Sequence, residues 1–380
     1  MWVVALAACV QPPEPATDPI AEVELPGCAG QHDDPIDEYA YVVDTMGRVM
    51  RQVNPRSCTV GATIGLGSHP IAAAVTGSGN WIYVGDDEDL TLTAISQPRD
   101  EVDAVIQLPF PPTELLFEPA HTVLWATDPV SGAAALIESE HHTLVDELTL
   151  PAGFTVLAST DAAPQTMVVG HPDGFLQIIE LALRTELARI ELGGPPLAVG
   201  YASNIERSYV CIGGDQPELA VIPATGPSAW IVTRRIELDA PCTGIRFNGY
   251  PVGVAIQAER DTALIVDTIT DTIAAEIPIG DTPDVVVLNG TMAAIGNLGS
   301  GDVSVVSLDE QAEIARTSLG GGGVGRWVQD GLDANFVYAH DADDQSLTVI
   351  DLRDGASRPP VDVGEVGEMV VAGPRGGKCH

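Results

Sequence analysis

One lysine, Lys378, stands in the whole chain, and 17 basic residues face 54 acidic ones, leaving a formal charge of −37 over 380 residues. Nucleic-acid affinity is built from Lys and Arg neutralising phosphates, so so few basic residues exclude DNA and RNA and disfavour anionic lipid heads. Cations, basic proteins and uncharged ligands remain as partners, although acidity on this scale also serves solubility alone. Aromatics make up only 5%, so Val, Ile, Leu and Ala must fill the core within a hydrophobic fraction of 45%. β-Branched residues suit the pleated, half-buried surface of a strand. No Cys-x-x-Cys pair occurs, and Cys379-His380 lacks the second cysteine of a haem attachment site, which removes the commoner zinc and haem patterns. No serine has a Gly-x-Ser-x-Gly setting, Gly320 to Gly323 lacks the Lys-Ser/Thr of a phosphate loop, and Asp341-Ala342-Asp343-Asp344 lacks the Gly and Glu that finish a calcium loop.

The apolar run Trp2 to Ala8 is too short to span a bilayer, and it ends in Leu6-Ala7-Ala8-Cys9. Small residues before a cysteine mark a processed export signal, although no Lys or Arg precedes the run. Residues 1–8 are therefore expected to be a signal peptide. The tetrapeptide resembles a bacterial lipobox, which implies cleavage before Cys9 and lipid attachment to its sulfur. Val10 rather than Asp follows the cysteine, and by resemblance to lipoprotein sorting signals this points to the outer membrane. Residues 9–38, with Pro12, Pro13, Pro15, Pro19, Pro26 and Pro35, have too little apolar periodicity to pack and form a tether. The folded body is expected over 39–375.

From there a beat of roughly forty residues recurs, as in a propeller or solenoid. It shows in YVVD (Tyr41 to Asp44), YVGD (Tyr83 to Asp86), WATD (Trp125 to Asp128), VVGH (Val168 to His171), YVCI (Tyr209 to Ile212), VAIQ (Val254 to Gln257), AIGN (Ala294 to Asn297) and VYAH (Val337 to His340). Their last residues are separated by 42, 42, 43, 41, 45, 40 and 43 positions. Between them lie further short strand patterns punctuated by Gly and Pro, such as TALIVDT (Thr262 to Thr268) and DVVVL (Asp284 to Leu288). No long helical periodicity competes. The pattern predicts an all-β fold, a single closed β-propeller of eight four-stranded blades.

In AEIPIGDTPDVVV (Ala275 to Val287), SLTVIDL (Ser346 to Leu352) and GLGSHPIAAAV (Gly65 to Val75) the chain resembles the YVTN family of β-propeller repeats. The resemblance covers the folded part and implies architecture more than activity; members more often have seven blades, which stands as the alternative count. Each unit reads second, third, outer, then innermost strand. The final EMVVA (Glu368 to Ala372) is left to complete the first blade, joining the chain ends and removing an open edge.

With Cys9 assigned to lipid, five cysteines remain. The path of a propeller puts Cys211 and Cys242 near one end of adjacent blades, and Cys28, Cys58 and Cys379 at the opposite end of the first. The expected disulfides are Cys211 with Cys242 and Cys28 with Cys379, with Cys28 to Cys58 as rival; all five reduced is the other possibility.

The strand-end residues Asp44, Asp86, Asp128, His171, Gln257, Asn297 and His340 should share one face of the disc around the channel mouth, with His69 beside them. Carboxylates and imidazoles there could hold a divalent cation or a polar ligand. The same residue types also satisfy backbone groups in tight turns without any ligand. No cofactor is otherwise called for, and a monomer is expected. Three functions follow: a lipid-anchored, non-enzymatic binding propeller for a protein or cell-surface component at the bacterial envelope; an enzyme resembling the lactonases of related propellers; or an outer-membrane assembly scaffold. Fold alone does not choose among them.

Overall fold

The computed structural model describes residues 39–372, apart from positions 56, 77, 78, 119–121, 161, 162, 321–323 and 331–334. The signal peptide, the tether, Cys9, Cys28 and Cys379 lie outside the described residues. Eight four-stranded antiparallel sheets follow one another along the chain. They form an eight-bladed β-propeller. In blades 2 to 8 the innermost strand comes first; in blade 1 it comes from the other end of the chain, where Val366–Ala372 pairs antiparallel with Tyr39–Asp44. The expected clasp is present, with Tyr39 opposite Ala372 and Val42 opposite Met369.

The second strands, Tyr39–Asp44, Trp81–Asp86, Val123–Asp128, Thr166–His171, Arg207–Ile212, Val252–Gln257, Met292–Asn297 and Phe336–Asp341, are buried along nearly their whole length. Each blade stacks between two others, so both faces of these strands are covered. Their sequence is accordingly a continuous apolar run rather than an alternation. Outer strands alternate instead, as in Glu101–Gln107 and Thr143–Thr149, because only their inward faces meet a neighbour. The eighth second strand ends at Asp341, which pairs with Ser346 as Asp86 pairs with Thr91. The fourth position of the last segment is therefore Asp341 rather than His340. Its aromatic first position becomes Tyr338, in line with Tyr41, Tyr83 and Tyr209.

Those tyrosines fasten blade to blade. The Tyr83 hydroxyl lies 2.6 Å from Nδ1 of His142, and Tyr209 donates to Asp271 Oδ1 at 2.6 Å. Gln52 Nε2 donates both to the Tyr41 hydroxyl and to Asp100 Oδ1. Asp100, His142 and Asp271 occupy the same left-handed position, φ 51°, 54° and 53°, in the turn before the outer strand of the following blade. A buried phenol needs a hydrogen-bond partner, and the repeat supplies it from the next unit. Burial also raises the pKa of Tyr83 and Tyr209, keeping both as donors.

Cys211, on the second strand of blade 5, is bonded to Cys242 in the connection to blade 6, with Cα atoms 5.4 Å apart. Cys58 is also disulfide-bonded. Its partner lies outside the described residues, as does the expected Cys28–Cys379 pair. Among the described residues no helix is long and apolar enough to cross a membrane.

Candidate functional site

The second strands all run toward the same face of the disc, so their last residues do share it. Most of them are consumed locally. Asp44 accepts from the Gly47 amide at 2.7 Å and from Arg51 at 2.6 Å. Asp86 accepts from the amides of His69, Glu88 and Asp89. Asp128 takes Val130 N, Ser131 N and the Ser131 hydroxyl, and Asp341 takes the amides of Asp343 and Asp344. Each carboxylate closes its own hairpin, whose turn ends in a left-handed residue such as Arg48, Leu90 or Gln345. Asn297 donates to Asp302 and Ser304, and Gln257 donates to the Ala240 carbonyl. His171 lies 2.8 Å from the Ala152 carbonyl and stacks on Phe175.

His69 Nδ1 sits 2.5 Å from Asp87 Oδ1, and that hydrogen bond raises its pKa. His340 is different: it is 3% exposed, and its ring lies against the Gly364 backbone rather than in a turn of its own. Burial lowers its pKa. These side chains form a ring one strand out from the axis, and three of them do not converge on one point. Among the described residues the only trio of His, Cys, Asp or Glu close enough to share an ion is Glu138, Glu140 and His141, at the turn before the outer strand of blade 3. There the Glu138 carboxylate already accepts from the amides of Glu140 and His141.

The channel itself is walled by innermost strands. Five of them are Glu114–Glu118, Val156–Thr160, Pro196–Ala202, Gly244–Phe247 and Pro283–Asn289, from blades 3 to 7. Toward the face that carries the strand ends they enclose a cavity of about 400 Å³, lined by Glu114, Thr155, Leu197, Thr243 and Asp284. A second cavity of about 670 Å³ opens toward the other face, past Glu118, Ser159 and Tyr201. Arg246 lines both, with Nη1 3.2 Å from the Ile245 carbonyl. Pro196 and Pro283 open their strands beside a bulge, where a missing N–H costs no ladder bond.

Register against the second strands shows how unusual two of these residues are. Glu114 pairs with Thr127; at the matching position the inner strands of blades 2 and 4 to 7 hold Ala72, Val156, Ala198, Gly244 and Val285, and that of blade 1 holds a second glutamate, Glu368. Arg246 pairs with Val254, where the others hold Ala74, Leu116, Ala158, Gly200, Val287 and, in blades 1 and 8, Val370 and Gln329, none of them charged. Burial pushes the Glu114 carboxyl above its usual range. Trp125 Nε1 donates to Glu118 Oε2 at 3.3 Å lower in the same strand. Sequence reasoning centred on strand ends passed over Glu114 and Arg246. The available signal was a charge inside segments, Glu114 to Glu118 and Gly244 to Phe247, that the four-strand order makes innermost.

No protein-family model matches the chain, and no curated protein matches it. Solved structures do. Apo AztD from Citrobacter koseri superposes with a TM-score of 0.67 at 13% identity, covering 91% of this chain and 100% of that one. The dihydro-heme d1 dehydrogenase NirN in complex with DHE gives 0.72 at 13% identity, covering 91% and 77%. The computationally designed Ika8 protein gives 0.63 at 15% identity, covering 81% and 94%. At such identities the likeness is one of fold.

Proposed function

We propose that this chain is a lipid-anchored, extracytoplasmic propeller of the bacterial envelope that binds its ligand or partner without converting it, carried on a YVTN-type repeat. The observation that carries the reading is the channel. Local turns consume the strand-end carboxylates, whereas the channel holds charged side chains that the repeat does not require. Charged side chains that line a concave cavity without being needed by the fold are a mark of a binding site.

The Cys211–Cys242 disulfide supports an oxidising compartment. Tyr39 begins its strand at the face opposite Asp44. A tether over 9–38 would therefore enter the disc on the side away from the Glu114 mouth, leaving that mouth free to meet a ligand. The Leu6-Ala7-Ala8-Cys9 tetrapeptide, with Val10 after it, supports lipid attachment and outer-membrane placement.

The test is metabolic labelling of the full chain with an alkyne-bearing palmitate, for the wild type and Cys9→Ser. Label and membrane association should appear in the wild type and vanish in the variant. A chain that takes no label and stays out of the membrane fraction contradicts the proposal.

A further inference from the structure

Glu114 stands in the channel wall where blades 2 and 4 to 7 put an alkyl side chain or a bare glycine and blade 1 puts Glu368. Its strand lies in blade 3 and that of Asp284 in blade 7, on opposite sides of an eightfold ring. Thr155 and Thr243 supply hydroxyls from blades 4 and 6. Leu157, Val199 and Val286 supply alkyl wall between and below them. No side chain among the described residues makes a hydrogen bond or ion pair with the Glu114 carboxylate. A half-buried carboxylate without a partner costs stability unless something else neutralises it.

We propose that the upper channel is a binding site for a small ligand carrying a protonated amine and an alkyl body, with the amine held by Glu114, Asp284 adding its charge at the mouth, and the alkyl part against the wall below. This assignment rests on the reading of the ring as a binding protein and names the ligand class of its channel. Charge decides the sign. Among the described residues lining the two cavities, the carboxylates of Glu114, Glu118 and Asp284 outnumber the guanidinium of Arg246. The chain as a whole carries −37. A low-dielectric passage focuses such a field, so a cation is drawn in and an anion repelled. Geometry decides the size. No three ligating groups converge on a point here, whereas a space of about 400 Å³ falls within the range of small-molecule pockets. An organic cation fills that space with its amine against Glu114.

The experiment is isothermal titration of the full chain with n-hexylamine, 1-hexanol and hexanoate, which share a body and differ in charge. Hexylamine should bind saturably at one site, with the alcohol and the acid at least about tenfold weaker, as a charge-assisted hydrogen bond would give. Glu114→Gln should weaken hexylamine by about tenfold or more, and Glu114→Ala reads the same contact should the first variant fold poorly. Glu310→Gln, an exposed change of equal charge in the turn before the outer strand of blade 7, should leave the affinity within about twofold, which separates the site from the general field. Hexylamine binding no tighter than hexanol, or equal losses in Glu114→Gln and Glu310→Gln, overturns the proposal. Hexanoate binding that is lost in Arg246→Met overturns the ligand class while leaving the channel as a site. No binding by any of the three overturns this inference alone, because the envelope reading is decided by the Cys9 labelling.

Discussion

At the scale of the residue, His340 is the least settled side chain in the core. It follows Phe336 and Tyr338 along one face of its strand, and those two pack with Ala40, Val42, Val361 and Val363 across the seam between blades 8 and 1. Asp341 is the charged neighbour on its own strand, and from blade 1 comes Asp44, paired with Arg51. Because burial lowers its folded pKa below the 6.5 of the free side chain, the unfolded chain binds the extra proton first. Its contribution is therefore fully present above pH 6.5 and is lost as pH falls toward the depressed folded value. His69 has the opposite sign: its raised pKa favours the folded state at low pH and that share fades as pH rises. Asp89, bonded to Ser68, and Asp146, bonded to Arg184, have lowered pKa values and lose their share only below the carboxylate range. Urea melts between about pH 7.5 and pH 5 isolate the imidazoles. His340→Val, which places the residue of Val43 at the matching position, should flatten the acid loss of stability. A slope unchanged in the variant would show that His340 is already protonated or solvated in the folded protein.

At the scale of the element, the Cys211–Cys242 bond ties a buried strand to the connection that leads into the next blade. It closes a loop of 31 residues, for which chain entropy gives about 3–4 kcal/mol. Cys242→Ala should lower stability by about 2–4 kcal/mol in urea melts without a reductant; a loss below about 1 kcal/mol would mean the strand and the connection are held by packing alone. This pairing was legible in the sequence because the strand order fixes which end of a blade each cysteine occupies. The second strands were legible for a related reason: burial on both faces writes an uninterrupted run of Val, Ile and Ala, closed by a turn-capping Asp. The same logic explains the slip at the eighth strand. Val337 to His340 fits the run as well as Tyr338 to Asp341 does, and only pairing with Ser346 sets the register. The channel charges were harder to see. Glu114 and Arg246 lie in short inner strands of five and four residues, where one polar side chain among few apolar ones resembles the start of a loop. Whether such a residue faces a cavity depends on how neighbouring blades approach, which no local pattern carries.

At the scale of the whole molecule, every blade depends on two neighbours, and ring closure makes that dependence complete. Repeat architectures gain their stability from interfaces between units. Here the interface that shuts the ring is held by the pairing of Val366–Ala372 with Tyr39–Asp44 and by apolar contacts across the seam. It also completes the wall of the channel, since Val366–Ala372 packs against the inner strands of blades 2 and 8. The measurement that tests this account most directly is equilibrium urea unfolding of a chain ending at Glu365, compared with the full chain under the same conditions. The account predicts loss of the single cooperative transition, with no native baseline remaining near neutral pH. A shortened chain that unfolds at the same midpoint with the same steepness would contradict it.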